Sequence, residues 1–142
     1  MLKIKTNNEK FCIPIKLIGK QEITADFYID TGFNGYLKID KKTFDDLGLE
    51  CIKKETYNFG NAQSEQADIS RVKLQTDNME GECEVIAVGW GGRNLIGTKF
   101  LGGANIILVI DGLHGVYLTN NRAVAYEIGK TIYTHHNKLP NI

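Results

Sequence analysis

Fifteen glycines against two prolines, in a chain of 142 residues, narrow the possible folds more than any other feature. The glycines punctuate short β-branched runs, so the chain reverses at short intervals, and sparse proline leaves backbone N–H groups free to join ladders. The pattern predicts an all-β chain.

Residues 11–18 are apolar and β-branched and end at Gly19-Lys20, with Pro14 inside them pointing to an edge position or a bulge. Residues 22–29 form the second predicted strand, a hairpin partner of the first, and 36–39 a short third. Asp40 is placed to cap a helix over 41–47 that Gly48 stops, with Phe44 and Leu47 on one face at i, i+3. Further strands are expected at 51–59, 67–75, 82–89, 105–110 and 115–118. The polar stretch Gly60-Asn61-Ala62-Gln63-Ser64 fits the tip of a long hairpin. Without a linker or low-complexity tract, the reading is one domain, a closed or partly closed β-barrel with one or two short helices. Residues 120–142 read as a C-terminal extension or an extra hairpin, with Val124, Tyr126 and Ile128 alternating before a turn at Gly129-Lys130.

Charge excludes several classes. Lys and Arg total 17 and so do Asp and Glu, which argues against a protein that coats nucleic acid or an anionic membrane. No apolar run approaches 18 residues, and the N-terminus lacks a signal-peptide core, so a cytoplasmic protein outside the membrane is expected. Cys12, Cys51 and Cys83 show no C-x-x-C spacing and read as free buried thiols in a reducing compartment. A chain of this length folds without disulfide or metal.

The chemistry concentrates in Phe27-Tyr28-Ile29-Asp30-Thr31-Gly32-Phe33-Asn34-Gly35. Three apolar residues lead into an acid, which makes burial of Asp30 and a perturbed acidity plausible. Thr31 supplies a hydroxyl for a buried network, and Gly32 removes a side chain where a second backbone or a substrate would approach. Ordinary turn chemistry is the alternative, since Asn34-Gly35 is a strong hairpin signal. Further along the chain comes Leu95-Ile96-Gly97, followed by Thr98-Lys99-Phe100-Leu101.

With these two motifs in this order, the sequence resembles the retropepsin-like aspartic proteases over roughly residues 11–119, leaving 120–142 outside the match. It is most similar to prokaryotic single-domain members, in which D-T-G-F-x-G runs on into a strand and a short helix. The resemblance implies a closed acid-protease barrel, with Asp30 as catalytic acid and Thr31 joining the two catalytic loops across a dimer axis. Gly32 would admit the substrate. Gly60, Asn61, Ala62 and Gln63 would form the flap over the substrate. Gly97 would pass beside the Asp30 loop, with Leu95 and Ile96 beneath it and a short helix near 98–102. The retroviral Arg after the hydrophobic-Gly motif is replaced by Thr98, and the glycine-rich flap tip by Asn-Ala-Gln. These departures bear on dimer strength and flap mobility.

Peptide hydrolysis of this kind uses two carboxylates sharing one proton. Asp26, Asp40, Asp45, Asp46, Asp68, Asp77 and Asp111 all lack the Thr/Ser-Gly continuation. One chain therefore holds half a site, and a homodimer acting on a peptide substrate at mildly acidic pH is expected. The alternative is a catalytically weak or inactive dimerisation or peptide-binding module of the same family. Tyr28, Tyr57 and Phe59 are loose candidates for lining substrate pockets.

Other signals carry less. Gly92 to Lys99 approaches a P-loop but reverses its Lys-Ser/Thr order. His135-His136 would point to opposite faces of a strand, and His114 follows a turn signal, so neither a metal nor a cofactor is expected. No Ser-His-Asp or Cys-His signature is present. Trp90, between Gly89 and Gly91, reads as core packing or as a loop anchor at an interface.

Overall fold

The computed structural model describes residues 2–4, 6–7, 10–59, 61–77, 79–111, 115–127 and 130. In chain order the elements are β1 (Leu2–Ile4), β2 (Thr6–Asn7), β3 (Lys10–Ile18), β4 (Glu22–Ile29), β5 (Leu37–Ile39) and α1 (Lys41–Leu47). They continue with β6 (Lys53–Asn58), β7 (Ser64–Gln75), β8 (Glu80–Ala87), β9 (Asn94–Ile96), α2 (Thr98–Gly103), β10 (Ile107–Asp111) and β11 (Gly115–Thr119). Two compact units are formed, Cys12–Phe100 and the combination of Met1–Phe11 with Leu101–Ile142.

The larger unit is a closed barrel. Its strands run β3-β4-β9-β5-β8-β7, and β7 pairs back onto β3 through Lys16↔Gln75, Leu17↔Leu74 and Ile18↔Lys73. β6 hangs on the free edge of β7. β3 and β4 form the expected hairpin, with Pro14 opposite Asp26. Residues 12–15 of β3 have β4 on one side and no described strand on the other, so Pro14 meets its edge expectation. Two pairings are parallel, β4 with β9 and β5 with β8.

Alternation fills the interior. Ile13, Ile15 and Leu17 of β3 are buried while Pro14 and Lys16 are not; Phe27, Leu37, Ile39, Val72, Val85 and Ile96 complete the core. Each such side chain contributes about 1.5–3 kcal/mol relative to exposure. α1 packs on β4 and buries Phe44 and Leu47. Its ends are fixed as the sequence predicts: Asp40 Oδ1 accepts from the Thr43 N–H at 2.8 Å, and Gly48 is left-handed at φ 67° with its N–H on Asp45 O.

In the smaller unit β1, β11 and β10 form an antiparallel sheet with β11 in the middle, paired through Leu2↔Leu118 on one side and Leu108↔Leu118 on the other. β2 pairs with the start of β3 through Thr6↔Phe11 and Asn7↔Lys10. Residues 122–127 are helical, begun by Asn121 Oδ1 accepting from the N–H groups of Ala123 and Val124. The alternation at Val124 and Tyr126 therefore belongs to a helical turn. Gly129 and 131–133, where the extra hairpin was expected to turn and return, lie outside the described residues.

None of the three cysteines is in a disulfide, but the expectation of burial holds only for Cys83. Cys12 is half-buried and Cys51 exposed, because residues 49–52 run along the surface between α1 and β6. Among the described residues no helix is long and apolar enough to cross a membrane.

Candidate active site

Asp30 follows the last residue of β4. Phe27 is fully buried, while Tyr28, Ile29 and Asp30 are half-buried and Thr31 and Gly32 exposed. The acid is thus less enclosed within one chain than three preceding apolar residues suggest, because only alternate strand residues face the core. Its backbone is fixed by the parallel neighbour: the Asp30 N–H donates to Ile96 O at 3.0 Å, and the Phe33 N–H returns to Asp30 O at 3.1 Å. The Gly32 N–H donates to Asp30 Oδ1 at 2.9 Å, and a Cβ at Gly32 would stand 3.2 Å from that oxygen. Among the described residues, Asp30 Oδ2 accepts no hydrogen bond. One carboxylate oxygen is oriented and the other is open.

The loop after Asp30 is gripped from below by the second motif. The N–H groups of Gly97, Thr98 and Lys99 donate to the carbonyl oxygens of Tyr36 (2.9 Å), Phe33 (2.9 Å) and Gly35 (3.1 Å). Asn34-Gly35 does not make the two-residue hairpin turn its sequence allows. Neither residue has positive φ, and β9 lies between β4 and β5. The near P-loop at Gly92 to Lys99 is β9 entering α2, and the Thr98 and Lys99 N–H groups are already used on the chain's own carbonyls. Ile96 is fully buried and Leu95 half-buried, paired with Tyr28 on one side and Lys38 on the other.

β6 and β7 build the expected long hairpin in register from Lys53↔Ile69 to Asn58↔Ser64. At its tip the Phe59 N–H donates to Gln63 O at 2.8 Å. The Gln63 N–H donates to Asn61 Oδ1 at 3.2 Å, and Ala62 takes φ 64°; Gly60 lies outside the described residues. Tyr57 meets Phe33 edge-on with ring centroids 6.4 Å apart, and Phe59 likewise at 5.1 Å. Burial first, then the charge of Asp30, hold the Tyr57 phenol above its usual range.

Between hairpin and Asp30 loop lies a cleft of about 630 Å³, lined by Asp30, Gly32, Phe33, Tyr36, Tyr57, Ile86 and Lys99, with Glu55 and Glu84 on its walls. The stem of the hairpin lines it; Asn61, Ala62 and Gln63 do not. Of the loosely suggested pocket residues, Tyr57 is part of the lining and Tyr28 and Phe59 are not. Phe33, Tyr36 and Lys99 are lining residues that sequence reasoning missed, although Phe33 and Tyr36 follow the D-T-G directly.

A polar cluster that joins β5, the start of α1 and residues 89–93 was also missed. Asp40 Oδ2 accepts from the Gly91 N–H at 2.9 Å, Glu65 Oε1 from the Gly89 N–H at 3.1 Å, and Lys38 Nζ donates to Arg93 O at 3.0 Å. Lys41 Nζ lies 3.1 Å from Glu65. Burial lowers the pKa of Lys38, partly opposed by the charges of Asp40 and Glu65. These contacts pin residues 89–93, where Gly89 (φ 73°) and Gly91 (φ 75°) flank Trp90. Trp90 is 68% exposed, so the core-packing expectation is corrected: two left-handed glycines turn it outward. Arg93 lies with its guanidinium 5.0 Å from the centroid of the Tyr28 ring.

Among the described residues no group of three His, Cys, Asp or Glu could hold a metal ion; His114, His135 and His136 fall outside them.

No known family profile matches the sequence, and neither does any curated protein. Solved structures do. The fold is similar to that of a retropepsin-like aspartic protease from Rickettsia conorii, with a TM-score of 0.59 at 16% identity over 83% of this chain and 91% of that one. The protease of a macaque simian foamy virus gives 0.46 at 12% identity, over 66% of this chain and 93% of that one. The Rickettsia likeness, together with the closed barrel, assigns this chain a retropepsin-like fold.

Proposed function

We propose that the chain is a homodimeric aspartic endopeptidase whose dyad is formed by Asp30 from each of two copies. The observation that carries this reading is Asp30 itself: one oxygen held by the Gly32 N–H, the other open, at the mouth of a peptide-sized cleft in a retropepsin-like fold. The sequence offers no second such acid within one chain. A twofold axis supplies it.

In that arrangement one carboxylate deprotonates the attacking water while the other, protonated, polarises the scissile carbonyl. Two carboxylates this close cannot both ionise, so the pair titrates as a unit and activity peaks at mildly acidic pH. Exposed Thr31 would bond the partner's loop, Gly32 would leave room for substrate backbone, and the hairpin through Asn61, Ala62 and Gln63 would close over it. Leu95, Ile96 and Gly97 act from beneath by fixing the loop that carries the acid.

A second reading, a dimerisation or peptide-binding module without turnover, draws on the hairpin tip. There the Asn61–Gln63 bonds stiffen a turn that substrate entry would have to move. Asp30→Asn separates the two. The enzyme loses peptide cleavage with its dimer intact, whereas a binder keeps its peptide affinity. A chain that sediments as a monomer at all concentrations and still cleaves peptides overturns the shared-dyad mechanism.

A further inference from the structure

We infer that Arg93, laid over Tyr28, forms a cationic subsite beside Asp30 that selects peptides with an acidic side chain close to the bond cut. This inference rests on the protease reading above and names its substrate class.

Side chains alternate along a strand, and Asp30, the residue after β4, continues the ladder through its N–H to Ile96 O, so Tyr28 and Asp30, two apart, project from the same face. Two residues of strand span about 6–7 Å, and an extended peptide advances by the same amount over two of its own residues. A group stacked on Tyr28 is therefore within about two substrate positions of the chemistry at Asp30. That group is the Arg93 guanidinium, 5.0 Å from the ring centroid. It is exposed, and among the described residues no carboxylate pairs with it.

Arg93 is also held in place. Lys38, buried in the sheet, donates from Nζ to the Arg93 carbonyl at 3.0 Å. The next residue, Asn94, is locked in the parallel ladder opposite Phe27. The side chain then stacks on an aromatic face, leaving the edge of the guanidinium free for a carboxylate. An arginine fixed at its backbone and its planar head loses less freedom on binding an anion than a mobile surface lysine. Across a twofold axis the pair is repeated, so the acidic preference falls on both sides of the scissile bond.

The test is cleavage of a proteome-derived peptide library by the full chain, with cut sites read by mass spectrometry. Wild type is compared with Asp30→Asn, Arg93→Gln and Arg93→Glu, and thermal midpoints are recorded for each. The expected result is Asp30-dependent cleavage with Asp or Glu enriched within two positions of the cut. A matched acidic peptide should be favoured roughly tenfold in kcat/KM over its amide analogue. Arg93→Gln removes the preference and Arg93→Glu turns it toward Lys and Arg, both with unchanged thermal midpoints. Asp30-dependent cleavage without acidic enrichment overturns the subsite and leaves the protease reading standing. So does enrichment that survives in Arg93→Gln, or an equal loss on acidic and neutral peptides. Absence of any Asp30-dependent cleavage overturns both.

Discussion

Gly97 lies directly against Gly35: a Cβ built on Gly97 would overlap the Gly35 carbonyl oxygen and stand 2.6 Å from that of Phe33. Both obstacles are backbone, and both carbonyls already accept N–H bonds from Lys99 and Thr98, so neither can rotate away. This contact joins the chain's two short motifs in space, the Asp30 loop above and the 95–97 segment below.

Gly97→Ala therefore forces two backbone segments apart. Overpacking of this kind costs about 1–3 kcal/mol, and the rigid carbonyls place the expected loss toward the upper end. Thermal unfolding of the variant should show a midpoint lower by several degrees. A midpoint equal to the wild type's would mean that the 33–35 loop gives way easily and that the second motif does not fix the acid. Gly102, where an added Cβ meets nothing, is the matched control.

Asp40 carries a second expectation, in pH. It is nearly fully buried, and burial by itself would push its pKa up. The N–H groups of Thr43 and Gly91 and the charge of Lys38 outweigh that, and the carboxyl is held below its ordinary range. A carboxylate whose folded value is depressed contributes stability that is fully present above its unfolded value near 3.9 and is lost as pH falls through the folded value. Asp40→Ala removes a helix cap and strands the Gly91 N–H, a loss of about 1–2 kcal/mol near neutrality. Urea unfolding across a pH series should show the gap between wild type and variant widest above pH 5 and shrinking below pH 4. A gap independent of pH would show that the capping geometry matters and the charge does not.

These residues also mark where sequence reading works and where it stops. Asp40 as a cap, Gly48 as a stop, the β3–β4 hairpin and the long hairpin of β6 and β7 are legible because each is encoded within a few consecutive residues. The D-T-G and Leu-Ile-Gly motifs were legible through resemblance. That they touch was likewise implied by the resemblance alone, because the parallel pairing of β4 with β9 joins segments far apart in the chain, and no local pattern specifies a partner. Lys38 shows the same limit. Between Leu37 and Ile39 it reads as the outward residue of an alternating strand, yet all three are buried, because β5 is enclosed by β9 and β8. Its role in pinning Arg93 follows from that enclosure alone. Trp90 misleads in the opposite sense: aromaticity suggests a core, and only the left-handed glycines on either side turn it outward.

The cysteines give a prediction that needs no knowledge of substrate. Thiolate, not thiol, reacts with alkylating and disulfide reagents. Cys83 sits inside the barrel on β8, where burial pushes its thiol up to about 12, only partly offset by the charge of Arg71. At pH 8 its thiolate fraction is therefore vanishingly small, and the residue is buried. Cys51 is exposed on the surface with its Sγ 3.2 Å from the Lys53 carbonyl. Pulse alkylation of the native protein at pH 8, read by peptide mass spectrometry, should label Cys51 within the pulse and leave Cys83 unmodified until denaturant is added. Because Cys83 pairs with Val72 in the ladder that builds the barrel wall, its labelling rate in increasing urea should follow global unfolding. Native-state labelling of Cys83 at a rate near that of Cys51 would mean that β8 opens locally, and that the barrel wall behind the Asp30 cleft is not the rigid support its packing implies.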